Sequence, residues 1–282
     1  MKIINNKERA IQELKRISER TSSENNIKIS SIVEKILQEV KNDGDKAVAK
    51  YTKKFDGFNP DPMQVKAKDL KKAWDATDNN LKKSLEIAYE RIKKFHEKEI
   101  PISFTIKGKY GDLVQRRWMP VRNAGLYIPG GRAAYPSTVL MNAIPAKVAG
   151  VKEIVMVSPG NAKGIINKTV LAAAYISGIN KVFRIGGAQA IGALAFGTNQ
   201  INKVDVISGP GNIYVTTAKK LIYGSTGIDS LAGPSEILII ADRTAKSPQI
   251  ASDLLAQAEH DPLASSILLT TSNDQAKEVF DE

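Results

Sequence analysis

The sequence contains no cysteine, which excludes disulfides and thiolate metal sites and fits a reducing cytoplasm. Histidine is nearly absent too: His96 and His260 are the only two in 282 residues. No apolar run approaches the roughly 18–20 residues that span a bilayer. The opening Met1-Lys2-Ile3-Ile4-Asn5-Asn6-Lys7 is polar and charged, unlike an export signal. No nucleic-acid motif accompanies the basic charge. These absences leave a cytoplasmic globular protein with neither membrane nor nucleic acid as partner.

What is present fits that class. Hydrophobic residues make up 42% and charged residues 25%, enough for a sizeable core, and the length allows two domains. The net charge of +11 is uneven. Residues 1–120 hold 27 Lys and Arg against 18 Asp and Glu, a balance of +9; the remainder hold 14 against 12, or +2. Acids interleave with the lysines throughout, so the basic half reads as a solvated helical surface rather than a polyanion site.

Residues 1–100 read as mostly helical. Ile11, Leu14 and Ile17 keep helical spacing, as do Ile29, Ile32, Val33, Ile36, Leu37 and Val40. Leu81, Leu85, Ala88, Ile92 and Phe95 form a third stripe that stops before Pro101. The polar stretch Thr21 to Asn26 separates the first helix as an arm. His96, among Lys93, Lys94, Glu97 and Lys98, reads as a surface histidine. From about residue 113 short apolar strands alternate with helices. The strands are expected at 124–128, 153–157, 181–185, 204–207, 236–241 and 266–270. Helices are expected near 138–149, 167–177, 188–196, 212–222 and 248–260. This alternation implies a mainly parallel sheet covered on both faces.

Glycine and proline turns border nearly every strand: Ile128-Pro129-Gly130-Gly131, Ser158-Pro159-Gly160-Asn161, Gly186-Gly187-Ala188-Gln189, Ser208-Gly209-Pro210-Gly211-Asn212 and Ala232-Gly233-Pro234-Ser235. The first four follow strands, and in an open parallel sheet such turns form the rim where ligands bind. Tight turns use these residues anyway, but four on one edge favour a ligand cleft. The dinucleotide fingerprint is incomplete, since Gly209-Pro210-Gly211-Asn212-Ile213-Tyr214 has Tyr where the third glycine belongs.

In the stretch Asp253 to Pro262, helical geometry places Ile250, Ala251, Leu254, Leu255 and Ala258 on an apolar face and Asp253, Gln257 and His260 on one flank. Gln257 and His260, at i and i+3, are half of a metal site, which typically needs three or four protein ligands. The other reading of His260 is a helix C-terminal histidine favoured by the macrodipole, with Pro262 ending the helix.

The segments Gly125 to Gly131, Ile185 to Ile191, Gly209 to Asn212, Ala232 to Glu236 and Asp253 to Pro262 resemble the histidinol dehydrogenase family in order and across the chain. The resemblance implies an α/β fold of two Rossmann-like parallel-sheet units with an N-terminal helical arm. The arm would be residues 1–22, one unit 23–126 with 235–282, and the other 127–234. It also implies zinc-dependent oxidation of L-histidinol to L-histidine, the last steps of histidine biosynthesis, with two NAD in succession in a homodimer. Tyr127, Gln189 and Asn212 would contact NAD, Ser235 the substrate, and Gln257 and His260 both zinc and substrate. The family's Glu-His acid–base pair and its remaining zinc ligands have no counterpart in these 282 residues. The chain therefore reads as a C-terminally truncated member, with no catalytic residue of its own and inactive in isolation. A non-catalytic nucleotide-binding remnant and another NAD-dependent dehydrogenase remain the alternatives.

Overall fold

The computed structural model describes residues 2–18, 23–130, 134–231, 236–259 and 264–282, with residues 23–26 as backbone only. The chain is mixed α/β and divides into two compact units, residues 1–29 with 232–282, and residues 30–231.

Three helices come first: α1 (Lys7–Ser18), α2 (Ser23–Asp43) and α3 (Asp45–Asp56). Helix α1 is amphipathic, yet none of its residues is buried. The polar stretch from Thr21 does not break the chain throughout, because Ser23 to Asn26 already form the first turn of α2. The stripe on α2 does meet a core, with Val33, Ile36, Leu37 and Val40 all buried. Beyond α3 lie the short strand β1 (Gln64–Val65), helices α4 (Ala67–Asp75) and α5 (Asn79–His96), and an exposed hairpin of β2 (Phe104–Lys107) and β3 (Leu113–Arg116).

The larger unit is organised by the next elements: β4 (Asn123–Tyr127), α6 (Pro136–Val148), β5 (Glu153–Val157), α7 (Lys168–Ile176), β6 (Lys181–Phe183), α8 (Gly187–Phe196), β7 (Val206–Ser208), α9 (Ile213–Ile222) and β8 (Gly227–Ile228). Their sheet runs β1-β6-β5-β4-β7-β8. Only β1 is antiparallel, paired to β6 through Gln64↔Phe183; the other pairings are parallel. The chain steps outward from β4 to β6, then returns to place β7 on the other side of β4. That reversal makes a topological switch point at the carboxyl ends of β4 and β7, the usual ligand position in such sheets. Leu126, Ile128, Met156 and Val182 pack with Leu140, Ile144 and Val170 in the main core.

The smaller unit holds β9 (Glu236–Ala241), α10 (Ser247–Ala258), β10 (Ser265–Thr270) and α11 (Asn273–Asp281). Strands β9 and β10 pair in parallel, Glu236 opposite Ser265. Ile250, Ala251, Leu254 and Val279 form the small core against Ile237, Ile239 and Leu268. The apolar face expected on α10 is narrower than its sequence suggests, since Leu255 is exposed and so is Ala258. No helix among the described residues is long and apolar enough to cross a membrane.

Candidate functional site

The four turns that follow β4, β5, β6 and β7 gather on one edge of the sheet, as their positions after parallel strands require. Gly209 is set hard against the end of β4: a Cβ there would lie 2.0 Å from the Tyr127 carbonyl oxygen, and its φ of 121° also favours glycine. Pro159, from the turn after β5, fills the space beside Gly186, where a Cβ would come within 2.6 Å of the proline ring.

Tyr127 and Gln189 are brought together around the start of α8. The Tyr127 hydroxyl accepts the Gly187 N–H at 3.1 Å, and the Gln189 Oε1 lies 2.7 Å from where a Gly187 Cβ would be. Burial pushes the Tyr127 phenol up to about 12, partly offset by the Gly187 N–H, with the nearby Asp56 carboxylate adding to the rise. The phenol therefore serves as a neutral hydrogen-bonding group. Gln189 is 1% exposed, and neither its Nε2 nor its Oε1 has a partner among the described residues. Buried amide atoms without partners are costly, roughly 1–3 kcal/mol each, and they stand beside a helix N-terminus that no side chain caps.

Asn212 occupies the same edge through a different job. Its Oδ1 accepts the N–H groups of Tyr214 and Val215, at 3.1 and 3.2 Å, and so caps α9 at the end of the Gly209–Gly211 turn. That turn is held from beneath by two residues that no motif in the sequence marks. Lys219 is 2% exposed; its Nζ donates to the Gly209 carbonyl at 3.0 Å and forms an ion pair with Asp229. Asp229 Oδ2 in turn accepts the Gly209 N–H at 2.8 Å. The available signal was the stripe Val215, Ala218, Lys219 and Ile222, which puts Lys219 on the buried side of α9 while its neighbour Lys220 faces solvent.

Asp56, at the C-terminal end of α3, is the other functional candidate the sequence did not single out. It is half-buried, its Oδ2 has no partner among the described residues, and burial raises its carboxyl to about 6.

Gln257 lies near the end of α10, in the smaller unit, and is half-buried. Ser235 and His260 lie outside the described residues, as does the turn Ala232 to Ser235. Among the described residues no group of three or more His, Cys, Asp or Glu could hold a metal ion. The donor set in view thus offers zinc one amide, Gln257, short of the three or four ligands a site needs. His96 sits at the end of α5 with its Nδ1 2.5 Å from Glu99 Oε2, a surface pair remote in sequence from every rim turn.

Comparison with known proteins adds to this geometry. The family profile for histidinol dehydrogenase matches residues 18–282. A histidinol dehydrogenase of Prochlorococcus marinus subsp. pastoris is 84% identical over 282 residues, which are 100% of this chain and 66% of that protein. One from Thermosynechococcus vestitus is 54% identical over 95% of this chain and 62% of its own length. A crystal structure of histidinol dehydrogenase from Elizabethkingia anophelis matches with a TM-score of 0.80 and 40% identity, covering 89% of this chain and 58% of that one. The chain thus spans 62–66% of the length of these curated relatives.

Proposed function

The chain belongs to the histidinol dehydrogenase family, and from that premise we propose that it supplies the dinucleotide cleft and part of the substrate site of a cytoplasmic, homodimeric enzyme that oxidises L-histidinol to L-histidine. NAD, held by Tyr127, Gln189 and Asn212, would supply the hydride acceptor for oxidation of the alcohol and of the hydrated aldehyde. The observation that carries the reading is Gln189, almost fully buried at the rim with both amide atoms unpartnered among the described residues. Tyr127 offers a neutral phenol beside it, and Asn212 fixes the start of the helix that borders the switch point. A bound nucleotide would be held by these groups together with the uncapped start of α8.

Ser235, Gln257 and His260 are assigned to the substrate, with Gln257 and His260 also assigned to zinc and completed by ligands from elsewhere in the assembled enzyme. For that enzyme we propose an arm of residues 1–22, a first Rossmann-like domain of 23–126 with 235–282, and a second of 127–234. A polypeptide of these 282 residues is expected to bind NAD without steady turnover. Its two histidines are His96, already paired with Glu99, and His260, which the reading gives to zinc, so no histidine base remains.

The test is direct. Gln189→Leu should weaken NAD binding at least tenfold, read by calorimetry, while leaving the melting temperature unchanged or higher, because a buried unsatisfied amide is replaced by an apolar group of similar size. An unchanged NAD affinity would sink the assignment of this cleft. Formation of NADH from L-histidinol, supported by the full-length enzyme and not by the 282-residue polypeptide, completes the check.

A further inference from the structure

We propose that Asp56 reads the adenosine ribose of the dinucleotide, its carboxylate accepting hydrogen bonds from the ribose hydroxyls and excluding a 2′-phosphate. The inference rests on the nucleotide reading given above and deepens it to a choice between NAD and NADP.

Three features of Asp56 oppose its placement unless a donor arrives. It is the last residue of α3, where the helix macrodipole disfavours a negative charge. It is half-buried, and Oδ2 has neither solvent nor a protein donor among the described residues. The cost of that burial is visible in the carboxyl, raised to about 6. A carboxylate kept in such a position is typical of a functional site.

The topology puts it where a ribose would be. Because β1 runs antiparallel to β6, with Gln64 opposite Phe183, the chain entering β1 crosses the carboxyl ends of the strands. Phe58 packs where Gly164 lacks a side chain, a Cβ there falling 2.7 Å from its ring, so this segment lies on the turn after β5. Arg184 fastens it further, donating to the Pro62 carbonyl at 2.9 Å and to the Gly164 carbonyl at 3.4 Å. Asp56 is also near enough to Tyr127 to oppose loss of its proton.

In sheets of this order, an acid at the end of the second strand usually takes the ribose 2′-hydroxyl. Here that strand is β5, and the turn after it, Ser158-Pro159-Gly160-Asn161-Ala162-Lys163-Gly164, contains no acid. Nor does Arg184-Ile185-Gly186-Gly187 after β6. Asp56 brings the missing carboxylate to the same edge from a different part of the chain.

The experiment measures binding of NAD, NADP and 2′-deoxyadenosine NAD by calorimetry to the parent protein and to Asp56→Asn, with melting curves for both. The parent should prefer NAD to NADP by at least tenfold, and the deoxy analogue should bind it about tenfold more weakly than NAD, the value of one hydrogen bond to a charged group. In Asp56→Asn, NAD affinity should fall about tenfold and both preferences should shrink to within threefold. A variant that keeps the parent's preferences would overturn the role of Asp56 while leaving the cleft intact. Asp56 loses that role equally if the parent binds the deoxy analogue as well as NAD, even should the variant not fold. If no dinucleotide binds the parent, the cleft assignment falls and this inference with it.

Discussion

Two stretches of almost the same composition end up in different surroundings. Glu153-Ile154-Val155-Met156-Val157 and Glu236-Ile237-Leu238-Ile239-Ile240-Ala241 are both an acid followed by an unbroken apolar run. The first becomes β5, with four consecutive buried residues between β4 and β6. The second becomes β9, whose burial alternates: Ile237 and Ile239 face the small core, while Leu238 is 54% and Ile240 79% exposed. An unbroken apolar run in a parallel strand is the mark of a sheet meant to be covered on both faces. In residues 30–231 that cover is present; among the described residues of the smaller unit, one face of β9 packs on the small core and the other, with Leu238 and Ile240, is exposed. The run specifies the strand, and the neighbours decide how much of it is satisfied.

The contrast can be broken most readily in the cores. Leu140→Ala, in the main cluster, should cost about 4 kcal/mol, and Leu254→Ala, in the small one, about 2 kcal/mol, because a smaller core leaves a shallower cavity that relaxes more easily. Urea denaturation, followed in each region by hydrogen exchange, would read both; equal losses would erase the distinction. A sharper test lies under the rim. Lys219→Met leaves Asp229 without its cation and the Gly209 carbonyl without its donor, an expected loss of about 3 kcal/mol. The adjacent exposed Lys220→Met should stay within about 0.5 kcal/mol. Similar midpoints for the two variants would show that the turn does not depend on its buried ion pair.

The smallest effect concerns Asp56 and depends on pH. Its folded carboxyl titrates at about 6 against 3.8 for the ordinary group. Between those values the folded protein holds more protons than the unfolded one, so this group's contribution is fully favourable below pH 4 and is lost as pH rises through 6. Asp56→Asn should therefore stabilise the protein by about 1 kcal/mol above pH 6, after allowance for partial solvent screening, and leave it unchanged near pH 4. Thermal melts across that range check it, and a stabilisation that did not vary with pH would point away from the carboxylate charge.

Much of this molecule is legible in the sequence. The apolar runs mark β5 and β9 at their observed ends. Other boundaries move for local reasons. The strand expected through Ile185 stops at Phe183, where the Arg184 N–H turns to the Met63 carbonyl. The one expected from Val204 begins at Val206, because the Val204 N–H is taken by the Leu194 carbonyl of α8. The hairpin at residues 104–116 leaves no mark in the sequence pattern, since both its strands are exposed and bury no apolar face. Tyr127, Gln189 and Asn212 border glycine turns that share an edge, and it is the family resemblance that marks them as contacts for NAD. Asp56 is unmarked, because a strand of two residues carries no periodicity, and only its antiparallel pairing brings the chain before it across the rim.

The meeting of Gly209 with the Tyr127 carbonyl bears on how this scaffold could be re-engineered. Any side chain larger than hydrogen at position 209 collides with main chain, which has no rotamer to yield. The two turns flanking the switch point therefore behave as a single cassette. A graft that swaps one for a homologous loop without its counterpart should fail, whereas transplanting both together, with Lys219 and Asp229 beneath them, keeps the lock and its wards in register.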